Sequence, residues 1–339
     1  MNRTLPWIAL SLLAACSQDS AAGTTGGADI LKRPLGLEGV ELTNNPDNPL
    51  SAAKAELGRQ LFFDPRLSGS GTMACAACHL PEQAFTDGKA LSVKDDGKTN
   101  TRNAPTMHNV GYYERLYWDG RAKGLEANVL AAWKAQIAGK PDEAAARLSK
   151  VEAYKTAFQQ AFGEGPSEKT VVHALASFLR SLRSGDSAYD RWKAGQKDAI
   201  AEAAQKGHDL FMGKAGCIVC HTPPLFTDRI FHNVGIGSTA EKPDIGAAAE
   251  NALNDASRTG AFKTPTLRDI AKTAPYFHDG SVASLRDAVK LMASGGIANP
   301  HKDPLLLDRG LTDAEIDQLV AFLETLSGNV PFTAPAVPK

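Results

Sequence analysis

The chain is expected to be all-α and built as two helical halves, and three observations lead there. No stretch sustains the alternation of apolar and polar residues that marks a half-buried strand. Several segments instead repeat apolar residues at helical spacing. The pentapeptide C-x-x-C-H occurs twice, as Cys75-Ala76-Ala77-Cys78-His79 and as Cys217-Ile218-Val219-Cys220-His221. It is the attachment signature of a c-type haem: the two thiols add across the vinyl groups and the His becomes the proximal iron ligand. Each half is therefore expected to wrap one covalently bound haem, whose apolar surface loop-rich helices can pack around. A C-x-x-C pair also occurs in zinc knuckles and redox dithiols. A His abutting the second Cys is poor geometry for a tetrahedral chelate, however, and a dithiol has no need of that His in both copies.

Residues 1–15 hold an early Arg3, then an apolar run through Leu5, Trp7, Ile8, Leu10, Leu12 and Leu13, and lead by Ala14 and Ala15 to Cys16. This describes a lipoprotein signal peptide with lipid on Cys16; an ordinary signal peptide cut elsewhere is the plainer alternative. The run is too short to span a bilayer. Residues 16–48, first Ser/Ala/Gly/Thr and then rich in Pro, Gly and Asn, are expected to form a flexible tether and surface loop. An N-terminal haem domain is expected over 49–185. Its first helix covers 51–62, with Leu57, Leu61 and Phe62 on one face, and a Gly/Ser loop over 68–73 leads to the first motif. A helix over 167–183 is capped by Ser167, carries Val171, Leu175, Phe178, Leu179 and Leu182, and stops at Gly185. A C-terminal haem domain is expected over 186–330. There a helix over 197–211 leads into the second motif and another covers 284–293. The last helix opens on a Thr312/Glu315 capping box and carries Ile316, Leu319, Val320 and Leu323. Residues 331–339 are expected to be a loose tail.

The five cysteines are thereby used up: four on haem, Cys16 on lipid, none on disulfides. In an exported chain that absence is informative. The expected address is the periplasm, at the outer membrane, with the Cys16 lipid as the sole membrane contact. A formal net charge of -1 gives nucleic-acid binding no support, and 22% charged with 43% hydrophobic residues is ordinary for a soluble globular chain.

A haem iron with one protein ligand binds small molecules, whereas one with two mainly moves electrons. Candidates for a second ligand are Met212, His232, His278, Met292 and His301 for the second haem, and Met73, Met107 and His108 for the first. A Met such as Met292 on a helix is also ordinary core filler, and no candidate stands out for the first haem.

Further motifs carry a resemblance. Leu61-Phe62-Phe63-Asp64-Pro65-Arg66-Leu67-Ser68 precedes the first haem site and Ala84-Phe85-Thr86-Asp87-Gly88 follows it. Then come Arg102-Asn103-Ala104-Pro105-Thr106, Trp118-Asp119-Gly120-Arg121 and Thr273-Ala274-Pro275-Tyr276-Phe277-His278-Asp279-Gly280. From about residue 53 to 328 the chain resembles the bacterial dihaem cytochrome c peroxidase and MauG family. The resemblance implies two cytochrome c-like domains. It makes Met292 the distal ligand of the second haem, at a position that is Met in the peroxidases and Tyr in the MauG branch. It makes Trp118 the aromatic bridge between the haems. It makes Asn103, with the carbonyls of Thr273 and Pro275, the ligands of a calcium ion between the domains. It also makes a homodimer an option, with no residue pattern that marks an interface.

Two departures from that family stand out. The loop His that closes the peroxidatic haem until the other haem is reduced has Asp95 in its place, and residues 92–101 hold no His. The first haem is therefore expected to be open without reductive activation. The family's distal Glu, which moves the peroxide proton, is replaced by Ala138, or by Gln136 if two residues are deleted, and a neighbouring Gln by Asn128. Neither Ala nor Gln is a base at neutral pH; Glu126 is a candidate substitute. The function the resemblance implies is reduction of hydrogen peroxide to water, with electrons from a small periplasmic cytochrome c or cupredoxin. Two alternatives stand beside it: a MauG-like oxidase that modifies a Trp or Tyr of a partner protein, and a dihaem electron carrier without chemistry of its own.

Overall fold

The computed structural model describes residues 31–330 and 332–339; the expected signal segment and Cys16 lie outside them. Helices dominate: α1 (Ala52–Phe62), α2 (Leu125–Gln136), α3 (Pro141–Leu148), α4 (Glu152–Phe162), α5 (Glu168–Ser181), α6 (Ala188–Lys193), α7 (Glu202–Met212), α8 (Leu285–Ala293) and α9 (Asp313–Glu324). Strand pairing among the described residues is limited to two hairpin-scale pairs, β1 (Arg115–Leu116) with β2 (Ala122–Lys123) and β3 (Phe231–His232) with β4 (Phe262–Lys263), plus isolated bridges. The expected all-α class is what is found. No described helix is long and apolar enough to cross a membrane.

Side-chain caps mark four of the helices that the sequence pattern singles out. Ser51, Ser167, Ser284 and Thr312 each accept a backbone N–H at the start of α1, α5, α8 and α9. Helices α2, α3 and α4, which sequence periodicity did not single out, start without a side-chain cap. Helix α6 has a Ser187/Asp190 capping box but spans six residues. The helix expected from 197 begins at Glu202, after a turn.

Each half is closed by one helix crossing. Helix α1 packs on α5 at Gly58, where an added Cβ would sit 1.9 Å from the Ala174 carbonyl oxygen. Helix α7 packs on α9 at Gly207, where a Cβ would sit 1.9 Å from the Gln318 carbonyl oxygen. Only a residue without a side chain lets the two backbones approach so closely. Around the first crossing Leu57, Leu61, Phe62, Phe85, Leu175 and Phe178 form a buried core; around the second Tyr189, Phe211, Phe226, Leu319 and Phe322 do.

The halves repeat one another well beyond the crossings. The Thr106 hydroxyl donates to the Ala84 carbonyl and the Thr266 hydroxyl to the Leu225 carbonyl, both at 2.6 Å. Asn109 and Asp269 are left-handed (φ 62° and 61°), as are Tyr117 and Phe277 (65° and 69°). The Leu116–Ala122 pairing matches the Tyr276–Val282 bridge, and α2 and α8 start at Leu125 and Leu285. The same offset relates 103 to 263 and 118 to 278. Across the junction Asn103 N–H donates to the His278 carbonyl and Lys263 N–H to the Trp118 carbonyl, both at 2.7 Å. The two segments thus face each other through reciprocal hydrogen bonds.

The C-terminal residues are a correction to the expected loose tail. Phe332 stacks on Phe63 (centroids 5.6 Å) and meets Phe85 edge-on at 5.3 Å. Arg59 donates to the Thr333 carbonyl at 2.8 Å, and Arg66 to that of Pro338. The aromatic ring finds an apolar seat that the local Pro-rich sequence does not reveal.

Candidate functional site

Both C-x-x-C-H segments fold as single 3-10 turns (Cys75–Ala77 and Cys217–Val219), in which Cys78 N–H bonds the Cys75 carbonyl at 3.2 Å and Cys220 N–H that of Cys217 at 3.3 Å. The turn holds the two thiols close together and delivers the His directly after them. His79 Nδ1 lies 2.8 Å from the Phe85 carbonyl oxygen and His221 Nδ1 3.0 Å from that of Phe226. A carbonyl only accepts, so Nδ1 carries the hydrogen and Nε2 keeps the lone pair that a metal needs. Burial lowers both imidazole pKa values and keeps them neutral. All four cysteines are free of disulfides. Burial also pushes Cys75 up to about 12 and Cys217 up to about 11, the reverse of a reactive dithiol.

The two carbonyl partners were missed from sequence. Phe85 and Phe226 are left-handed (φ 59° and 54°) and buried, which turns each carbonyl back toward its His. A signal existed: Phe-Thr-Asp follows each haem motif, at 85–87 and at 226–228.

One cavity of about 670 Å³ runs past both motifs. Its wall includes Cys75, Cys78 and His79 from the first and Cys217, Cys220 and His221 from the second, with Trp118 also in it. Lys263 lines it too, its ammonium 4.4 Å from the Tyr113 ring centroid. Burial, together with Arg229, drops the Lys263 pKa to about 8. Free thiols, correctly tautomeric imidazoles, an apolar wall and a cation lacking a carboxylate partner fit a haem with its carboxylate side chains.

Of the ligand candidates, Met292 lines this cavity, as do His232, His278 and Met107. His232 is held by two carboxylates, Asp303 at 2.6 Å and Asp228 at 2.9 Å, so neither ring nitrogen is free. Cys220, Asp228 and His232 form the group of metal-ligating type found among the described residues, but its thiol belongs to the haem motif. The His278 ring stacks on Phe262, centroids 3.6 Å apart. Met212, His301, Met73 and His108 do not line the cavity; Met212 is 46% exposed and His108 pairs with Asp269 at 2.8 Å.

Trp118 is tied to both segments of the junction: Nε1 donates to the Asn103 carbonyl at 3.0 Å and its own carbonyl accepts from Lys263. Asp95 accepts from Ser70 N–H at 3.0 Å and does not line the cavity. Gln136 and Asn128 do line it, Ala138 does not, and Gln136 Oε1 is buried without a partner. Asn103, Thr273 and Pro275 share the wall and offer neutral oxygens. The Asn103 amide donates to the Lys89 carbonyl at 2.8 Å.

Glu126 is a correction as a proton-moving group. It does not line the cavity, and Arg180 grips it at 2.5 and 2.9 Å. Burial alone would raise its pKa, but the Arg180 guanidinium and the Asn48 amide outweigh that and hold it down at about 2. It stays ionised and structural. Its contribution to stability is full above the ordinary Glu range and is lost as pH falls from about 4.5 toward 2. Denaturant unfolding between pH 7 and pH 3 should therefore show a steeper loss for the native protein than for Glu126→Gln. Equal slopes would refute the ion pair's role.

Comparison with known proteins agrees with the geometry. Residues 52–198 match the family model for di-haem cytochrome c peroxidase, and residues 204–327 that for cytochrome c. The methylamine utilization protein MauG of Methylophilus methylotrophus is 38% identical over 86% of this chain and 88% of its own length. The cytochrome-c peroxidase IdrP1 of Denitromonas iodatirespirans is 36% identical over 96% of this chain and 93% of its own. Among solved structures, a MauG-like protein associated with microbial copper homeostasis superposes with a TM-score of 0.77 at 34% identity, covering 85% of this chain and 93% of that one.

Proposed function

Because the chain belongs to the di-haem cytochrome c peroxidase family, which includes both peroxidases and MauG proteins, we propose that it reduces hydrogen peroxide to water beside His79, with electrons from a small donor protein arriving beside His221. Peroxide takes up two electrons and two protons and leaves as two waters. The family implies haem c, and the two motifs fit two of them. When bound, haem supplies the redox chemistry and an iron that a small oxidant can approach.

The observation that carries the reading is the single cavity past both motifs with Trp118 in its wall. Trp118, hydrogen-bonded to Asn103 and Lys263, is a fixed aromatic bridge for electron passage between the halves. On the His79 side the amides of Gln136 and Asn128 can orient a small polar oxidant, and the loop over 92–101 brings no His. On the His221 side Met292 is proposed as second ligand, and a Met/His pair raises a haem potential. Val219, within the second motif, is 53% exposed, and Leu305 and Leu307, on the same cavity's wall, are 50% and 57% exposed. Such an apolar rim suits a transient donor. A calcium ion on Asn103, Thr273 and Pro275, and an exported location with lipid on Cys16, belong to the same proposal.

Neutral amides in place of an acid or base, and the MauG relative at 38% identity, favour a second reading: stored oxidising equivalents used on a Trp or Tyr of a partner protein. One experiment separates the two. The reduced protein is mixed with hydrogen peroxide and a reduced small cytochrome, and donor oxidation is followed. Sustained turnover supports the peroxidase, a long-lived oxidised state with little turnover supports the second reading, and inertness overturns both.

A further inference from the structure

The internal repeat aligns the two cavity-facing helices residue by residue. Helices α2 and α8 start at equivalent positions, 125 and 285, each after a matched two-strand contact and a matched pair of left-handed residues. In α8 Ala288, Val289 and Met292 are part of the cavity wall; in α2 the same three places hold Asn128, Val129 and Ala132, and all of these line the cavity. Position 132 is therefore to the first half what position 292 is to the second.

We propose that Ala132 determines the coordination of the first haem: it occupies the place that Met292 takes in the second half, and its methyl leaves open the iron face that a thioether would close. The proposal rests on Met292 being the second haem's ligand, and it holds for the peroxidase and the storage readings alike. A methyl group has no donor atom and cannot reach an iron. One turn further along α2 Gln136 lines the same cavity. Helix α2 is held in place beside it by Trp133, whose Nε1 donates to the Leu67 carbonyl at 2.8 Å.

The test uses the mature protein with both haems attached, verified by haem content, and reads spin state and cyanide affinity at each haem. Ala132→Met should convert the first haem from high-spin to low-spin. It should add a second thioether-to-iron charge-transfer band and weaken cyanide binding there at least tenfold, leaving the second haem unchanged. An unaltered high-spin signal and cyanide affinity would overturn the proposal, as would a native first haem that is already wholly low-spin. If Ala132→Met matures without its haem, Ala132→Val decides. Tenfold weaker cyanide binding at the first haem supports the proposal, and native affinity rejects it. Met292→Ala probes the premise separately: it should abolish the native thioether band. If that band is absent or unmoved, Met292 is not the ligand and the proposal falls with it. A changed Met292→Ala beside an unchanged Ala132→Met rejects the proposal alone.

Discussion

Gln136→Glu is expected to speed the reaction with peroxide by about 10²-fold, the low end of what a positioned acid–base group contributes. In the proposed reaction, breaking the O–O bond heterolytically requires a proton to move from one oxygen to the other, and the cavity wall contributed by α2 offers the amides of Gln136 and Asn128 for the task. Gln136 Oε1 is buried and unpartnered. A carboxyl there would be desolvated and its pKa raised, toward the range where it can both take and return a proton. The gain should be present above that raised pKa, where the group is a base, and should vanish as pH falls through it. Stopped-flow mixing with peroxide across pH 5 to 8 gives the answer. A rate equal to or below the native one at every pH would mean that proton transfer does not limit the step, or that position 136 does not face the reacting oxygen.

Gly207→Ala is expected to cost about 3 kcal/mol or more, against a typical folding margin of roughly 5–15 kcal/mol. The added methyl would lie 1.9 Å from the Gln318 carbonyl oxygen and 2.8 Å from the Phe322 Cβ. Backbone cannot step aside without separating α7 from α9 and opening the core of Phe211, Phe226 and Phe322. Gly58→Ala should do the same to α1 and α5, where the Ala174 oxygen lies 1.9 Å away. Gly165→Ala is the control: nothing lies within 4 Å of its Cβ, so its effect should stay within about 0.5 kcal/mol. Denaturant midpoints of the three haem-loaded variants decide the matter. If Gly207→Ala unfolds no earlier than Gly165→Ala, the close crossing is not what holds the second half together.

Much of the site was legible because its chemistry is local. A C-x-x-C-H needs only one 3-10 turn to bring both thiols and the His together, so the motif and the geometry are nearly the same statement. Ser167 and Thr312 made two helices readable for the same reason: a cap is a contact between near neighbours. Helix α2 was not legible, since it starts after Gly124 with no side-chain cap and is rich in Ala. The role of Glu126 was misread because its partner Arg180 comes from α5, far along the chain. The seat of Phe332 lies among Phe63, Phe85 and Phe178, equally remote.

By itself the amino-acid sequence determined which thiols and imidazoles each motif brings together, which helices carry caps and stripes, and which family the chain joins, because each of these depends on residues within a few positions of one another. Only the tertiary structure decided which groups share a wall. It turned Glu126 away to Arg180, brought Gln136 in, fastened Trp118 across the junction and matched Ala132 to Met292. The repeat behind that last pairing is carried by backbone conformation and hydrogen bonds as well as by shared residues such as Thr106 and Thr266 or Gly120 and Gly280, but a repeat of letters does not say which side chains the two halves turn into one cavity.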